Sequence, residues 1–304
     1  MNVKILQYNT HLFMGTIVSG FPGMTYEDET RLQGIVGRLK NATADLVTLE
    51  EVWGTKSSTP IVNELATSPF AFTANDGIDS PLKMGSGLLL LSRHPLKSGQ
   101  FIDPVVTIPQ FTEFEQTAMP DGLANKGFIT VQVNPMSGPK FWIIHTHTQA
   151  DYDPASVKAR QANIRQIADR VDLLHKTFAE PVVVVGDLNV VGETESGLPT
   201  DEYETMTKRF GDSGLVDAYR TLHPDVKTNP AFTYDGTKNR LISIFAPKDN
   251  KTRQRLDYVF LDAKNGVSPV QADVVSDFTY TDSKTSQTTD LSDHYPISVE
   301  FTVG

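Results

Sequence analysis

What most limits the fold of this chain is the spread of short strand-like runs from one end to the other. Apolar or alternating stretches at residues 3–8, 46–49, 87–91, 127–133, 140–147, 182–185, 256–261 and 297–302 are each bounded by turn or polar residues, the pattern of strands. Helices fall between them. Leu32, Ile35, Val36 and Leu39 recur at i, i+3, i+4 and i+7, which is one face of an amphipathic helix. Asp153 stands as N-cap ahead of Pro154 at the first helical position, and Val157, Ile164, Ile167, Ala168, Val171 and Leu174 line one side of the helix so begun. A third helix is predicted over 201–209, stopped by Gly211. Strands interleaved with helices to the last residues predict an α/β sandwich, with sheets packed face to face and helices on their outer sides. No linker, repeat or low-complexity segment interrupts the 304 residues, so a single domain over 1–304 is expected. The threonine-rich stretch 279–289 reads as a loop or hairpin tip.

Composition narrows the chemistry. Cysteine is absent, which excludes disulfides, thiolate metal sites and a cysteine nucleophile, so any metal must be held by oxygen or imidazole. The apolar runs are far too short to cross a bilayer. A net charge of −10 without a dense basic run opposes the electrostatic term that dominates duplex nucleic-acid affinity, so nucleic acid is not the expected partner. Met1 leads straight into an apolar strand, with no charged region, long apolar core or cleavage site; a secreted mature chain is expected ahead of a cytoplasmic protein.

The polar residues of interest gather at strand ends, where a sheet can present side chains rigidly to a common cleft. They are Gln7-Tyr8-Asn9-Thr10-His11, Leu49-Glu50-Glu51-Val52-Trp53, His145-Thr146-His147-Thr148-Gln149, Val185-Gly186-Asp187-Leu188-Asn189, Arg255-Leu256-Asp257-Tyr258 and Leu291-Ser292-Asp293-His294-Tyr295-Pro296. Taken singly, each has a bland explanation: Glu50-Glu51 as a solvated helix start, Asp187-Leu188-Asn189 as a turn, a lone histidine as a packing group. Their order along the whole chain, however, resembles the endonuclease/exonuclease/phosphatase superfamily. Thr146-His147-Thr148-Gln149-Ala150 with Asp153-Pro154-Ala155-Ser156-Val157 and Gln161, and Leu123-Ala124-Asn125-Lys126-Gly127-Phe128, are further similar to neutral sphingomyelinases of the bacterial type.

That resemblance implies a four-layer α/β/β/α sandwich of two mixed sheets, of the DNase I-like kind, and a divalent-metal-dependent phosphodiester hydrolase. It also implies residue roles. Glu51 matches the metal carboxylate, with Asn9 beside it and Asp293 on the metal side; oxygen ligands with retained waters suit Mg²⁺, with Mn²⁺ or Co²⁺ as substitutes. His294 matches the general base and Asp257 the carboxylate that orients its imidazole. His147 matches the second histidine, donating to a phosphoryl or leaving oxygen, while Asp187 and Asn189 contact the phosphate and the attacking or departing oxygen. Asn125 and Lys126 are weaker substrate-binding matches, because a lysine after a loop is ordinarily solvated. Glu50 stands at a position that is often glutamine and is not expected to be a ligand. His145 matches no family position and is expected to be structural.

One departure bears on the substrate. Bacterial sphingomyelinases of this type carry an aromatic-rich hairpin ahead of the final aspartate-histidine pair, whereas 277–291 here holds only Phe278 and Tyr280 as aromatic residues. Weak or no membrane insertion is therefore expected, and a monomer. The sequence-based expectation is cleavage of sphingomyelin or a related phospholipid to release the phosphorylated head group. A nuclease or a soluble glycerophosphodiester hydrolase on the same fold is the alternative, and a binding module without activity is disfavoured because the motifs are intact.

Overall fold

The computed structural model describes residues 1–16, 18–21, 23–65, 69–77, 84–98, 108–119, 121–193 and 197–304; the side chain of Leu123 lies outside them. Among these, two large sheets face each other. The six-stranded sheet runs in the order Val267–Val274, Ile297–Val303, Asn2–Leu12, Leu46–Val52, Leu89–Ser92, Phe72–Asn75. The seven-stranded sheet runs Leu215–Asp217, Asp257–Asp262, Val182–Asp187, Phe141–His147, Gly127–Val133, Leu96–Lys97, with Phe111–Glu113 also paired to Gly127–Val133. Both are mixed: Asn2–Leu12 is parallel to Leu46–Val52 but antiparallel to Ile297–Val303, and Phe141–His147 is parallel to Val182–Asp187.

Strand periodicity explains the layers. Val182 to Val185 are all fully buried because alternate side chains serve two cores. Val183 and Val185 join Val3, Ile5, Leu46, Ile143 and Val259 between the sheets, while Val182 and Val184 join Trp142, Ile144 and Phe260 under the helix Pro154–Phe178. The helix Asp28–Lys40 covers the other sheet, with Leu32, Ile35, Val36 and Leu39 against Leu6, Tyr8, Val47 and Leu49. The result is the expected α/β/β/α sandwich. Each fully buried aliphatic side chain contributes on the order of 1.5–3 kcal/mol.

Asp153 caps its helix as the sequence predicts, its carboxylate accepting from the Ala155 and Ser156 N–H groups. The predicted 201–209 helix runs on to Asp212. Gly211 lies within it, and the left-handed residue that ends the turn is Gly214, at φ 91°. The strand expected at 87–91 is Leu89–Ser92. Several elements escape the periodicity, among them the helix Thr55–Leu65, which holds Pro60, and the edge strand Val267–Val274, broken by a register shift between Pro269 and Gln271. The 279–289 stretch does fold as a hairpin, Thr279–Thr281 against Thr288–Asp290.

Candidate active site

The same period-two rule that builds the core builds the site. On the inter-sheet face, Val3 and Ile5 are followed by Gln7 and Asn9, Leu46 by Thr48 and Glu50, Ile143 by His145 and His147, and Val185 by Asp187. Each central strand thus changes from apolar to polar toward one end of the sandwich. Asp187 is in register with His147 on one neighbour and with Asp257 on the other. Gly186 before it, at φ 147°, lies so close to the Thr146 carbonyl that no side chain fits there. Three non-glycine residues at this end hold left-handed backbone conformations, namely His11 at 46°, Glu51 at 55° and Asn189 at 50°. Such strain collects where side-chain placement matters more than local comfort.

His294 Nδ1 lies 2.8 Å from Asp257 Oδ2, and its Nε2 lies 3.9 Å from Asp187 Oδ2. Burial works against the imidazolium, but the carboxylates of Asp257, Asp187 and Asp293 outweigh it and hold His294 well above the usual histidine range. Asp187 is pushed up to about 7 by burial and then by Asp257. His147 Nε2 stands 3.6 Å from the same Asp187 oxygen and 3.9 Å from Glu51 Oε1. Burial, then Lys126, drive His147 well below the usual range.

Lys126 is not solvated. Its ammonium is buried, 2.8 Å from Asp121 Oδ2, donating to the Thr148 carbonyl at 2.8 Å and 3.2 Å from His147 Nε2. Asn125 beside it is fixed through its backbone N–H, which donates to the Gly85 carbonyl. Asn189 donates to the Thr148 carbonyl at 3.2 Å, and its N–H donates to Asp187. Glu51, Lys126, His147, Asp187, Asn189 and His294 line one cleft of about 190 Å³, whose other walls include the apolar side chains of Phe13, Val18, Met24, Trp53 and Met84.

The donor set fits a hard divalent cation. Asn9 Nδ2 donates to Glu51 Oε1 at 3.1 Å and to Asp187 Oδ2 at 3.0 Å, tying both carboxylates to the first strand. Asp293 approaches from the other side, its Oδ2 3.4 Å from His11 Nδ1, which is also 3.6 Å from Glu51 Oε2. Burial opposes the charge on Asp293, yet His11, His294 and Arg31 hold its carboxyl below the usual range. Among the described residues, the one ammonium lining this cleft, that of Lys126, is already met by Asp121, so the carboxylates carry negative charge that a cation can offset. Atoms of Asp187, Asp257 and His294 also lie within 4.8 Å of one another. There, however, Asp257 Oδ2 and His294 Nδ1 are occupied with each other and Asp257 Oδ1 accepts from Gln7, so chelation would cost the aspartate–histidine pair.

Sequence reasoning thus names residues that do come together, with Asn125 attached mainly through its backbone. It misses His11, wedged between Glu51 and Asp293 and stacked on Phe245 at 4.0 Å, and Asp121, the Lys126 partner. His11 was legible as part of a polar strand end; Asp121 had no pattern to mark it. Glu50, far from being solvated, is fully buried against His145.

Comparison with known proteins agrees with this fold. The chain is 24% identical over 207 residues to a putative neutral sphingomyelinase of Drosophila melanogaster, a match spanning 66% of this chain and 43% of that protein. Sphingomyelinase C from Streptomyces griseocarneus has the same fold, with 21% identity, a TM-score of 0.70 and 99% of each chain covered. So does a beta toxin variant from Staphylococcus aureus with bound magnesium ions, at 20% identity and a TM-score of 0.71 over 98% of this chain and 99% of that one. The sequence profile of the endonuclease/exonuclease/phosphatase family matches residues 6–294, from the first strand through His294. The chain belongs to the endonuclease/exonuclease/phosphatase family.

Proposed function

We propose that this protein is a Mg²⁺-dependent phosphodiester hydrolase of the sphingomyelinase C type, cleaving sphingomyelin or a related phospholipid to release the phosphorylated head group. The observation that carries this reading is the convergence of the Asp257–His294 pair, His147, Asp187 and Glu51 on one cleft. When bound at Glu51 with Asn9 and Asp293, a divalent cation would offset the negative charge that builds on the phosphoryl oxygens and lower the proton affinity of His294. Asp257 holds the His294 ring by its Nδ1, leaving Nε2 toward the cleft to take a proton from the attacking water. Asn189 faces the same space and can donate to the phosphate or the departing oxygen, while His147 Nε2, which accepts from the Lys126 ammonium, can donate there only once that contact opens. Lys126 supports His147 and presents a cation beside it.

Three features support a lipid head group over DNA. Apolar side chains wall the cleft, the net charge of −10 repels a polyanion, and the chain shares its fold with sphingomyelinase C. The family also contains endonucleases, so a nuclease is the second reading. Purified protein with Mg²⁺ should be assayed against sphingomyelin, phosphatidylcholine, soluble glycerophosphodiesters and plasmid DNA, with the phosphorus-containing products identified. Turnover of sphingomyelin to a phosphorylated head group is expected; turnover of DNA alone would refute the assignment.

A further inference from the structure

One layer below the cleft, the inward faces of the same strands bring Gln7 and His145 each into contact with Glu50, all three fully buried. His145 Nε2 lies 2.8 Å from Glu50 Oε1. Gln7 Nε2 donates to Glu50 Oε2 at 2.9 Å and to Asp257 Oδ1 at 2.6 Å. From Asp257 the chain of contacts reaches His294 Nδ1 at 2.8 Å. These residues belong to both sheets: Gln7 and Glu50 to one, His145 and Asp257 to the other. The amide of Gln7 has two N–H bonds and spends them on two carboxyl groups. Turning it over would set its oxygen against the Asp257 oxygen at 2.6 Å, so its orientation is fixed from that side. Asp257 in turn has one oxygen taken by Gln7 and only the other left for His294. Glu50 and His145 are strand-end residues that do not line the cleft, and each is the partner of the other.

We propose that Gln7, Glu50 and His145 are positioning residues for the Asp257–His294 pair. Gln7 fixes the Asp257 carboxylate, Glu50 fixes the Gln7 amide, and His145 fixes Glu50. The inference rests on the reading of His294 as the proton-transferring group. A role confined to joining the two sheets would lower stability without changing the chemistry of folded protein. A positioning role lowers turnover in folded protein, because small displacements of a reacting group are costly in rate.

The test compares Gln7→Met, Glu50→Leu and Glu50→Gln by kcat, KM, Mn²⁺ affinity, thermal unfolding and the downfield proton resonance of His294 Nδ1–H, assigned by its loss in His294→Gln. Folded Gln7→Met should lose about tenfold to a hundredfold in kcat, with KM and Mn²⁺ affinity within about twofold of wild type. Its downfield resonance should move or disappear. Glu50→Leu should behave alike, whereas Glu50→Gln, which keeps an acceptor toward Gln7, should recover most of kcat. Gln7→Met with wild-type kcat and an unmoved resonance overturns the proposal. Should Gln7→Met fail to fold, equal kcat for Glu50→Leu and Glu50→Gln overturns it instead. A wild-type protein that hydrolyses no phosphodiester would refute the proposed function, while the resonance would still report on the positioning contacts.

Discussion

His147 and His294 stand 3.6 and 3.9 Å from the same oxygen of Asp187, yet their surroundings shift their proton affinities in opposite directions. Burial and the Lys126 ammonium push His147 below the usual histidine range, whereas the carboxylates of Asp257, Asp187 and Asp293 push His294 above it against the effect of burial. Environments that separate two like groups in this way mark an acid–base pair. The metal-free state is the reverse of what a base at His294 requires. A cation bound near Glu51 would supply the positive charge that returns His294 to its neutral form.

The first prediction rests on that sign. In metal-free protein, His294 should titrate above the ordinary histidine value of about 6.5 and His147 below it, as followed by NMR of the ring protons. Saturating Mg²⁺ should lower the His294 midpoint. Removing the carboxylate charge by Asp257→Asn should lower it as well, so the acid limb of the residual activity moves to lower pH. A limb that stays in place would break the assignment of His294 as the base held by Asp257.

Metal binding can be read without turnover. Trp53 lines the cleft with Glu51, so Mn²⁺ should quench its fluorescence, and Glu51→Ala should weaken that binding at least tenfold. The same variant should lose about a hundredfold or more in kcat, since stabilisation of developing charge is commonly worth several kcal/mol. Chelation should abolish wild-type activity and Mg²⁺ restore it. Full activity in excess chelator would remove the metal from the mechanism.

Arg31 carries a prediction about stability. Its buried guanidinium donates to the carbonyls of Thr10, His11, Tyr26 and Leu291 and pairs with Asp28 at 2.8 Å. It therefore ties the segment after Asn9 to the segment before Asp293. Arg31→Ala leaves Asp28 and these carbonyls without their donor, and urea unfolding should show a loss of about 3–5 kcal/mol. A change under about 1 kcal/mol would mean that water replaces the guanidinium freely.

The sequence displays the parts of this fold that depend on local repetition. Val182 to Val185 read as a strand buried on both faces, and Asp153-Pro154 reads as a helix start, because each pattern is complete within a few residues. Boundaries that depend on long-range geometry do not show: Gly211 ends nothing, as the turn is made by Gly214 against Lys264 and Asp262. The site divides the same way. Asn9, Glu51, His147, Asp187, Asp257 and His294 stand at strand ends, but it is the resemblance of their order along the whole chain to the superfamily that marks them. Asp121 as the partner of Lys126, and Glu50 as the partner of His145, are contacts between segments, and only the packing of the strands and loops sets them.

The last prediction concerns substrate presentation. The hairpin formed by Thr279–Thr281 and Thr288–Asp290 stands where a membrane-inserting hairpin would be expected, but its aromatic residues are already spent on the fold. Phe278 is buried edge-on against Tyr8 at 5.3 Å, and Tyr280 packs against the same core. Little apolar area there remains for a bilayer, where burial is worth roughly 25 cal/mol per Å². The negative net charge adds repulsion from anionic surfaces. Detergent-dispersed or short-chain sphingomyelin, or a water-soluble phosphodiester, should therefore be cleaved much faster than sphingomyelin in intact liposomes, and DNA negligibly. The counter-case has an address: Phe21, Met119 and Tyr152 are exposed by 63%, 66% and 48%, on segments that also supply cleft-lining residues. Equal rates on liposomes and micelles, with the liposome rate alone lost in Phe21→Asp or Met119→Asp, would put a membrane anchor on those loops and overturn the prediction. Rapid nicking of plasmid DNA abolished by His294→Ala would instead move the protein to the nuclease side of its family.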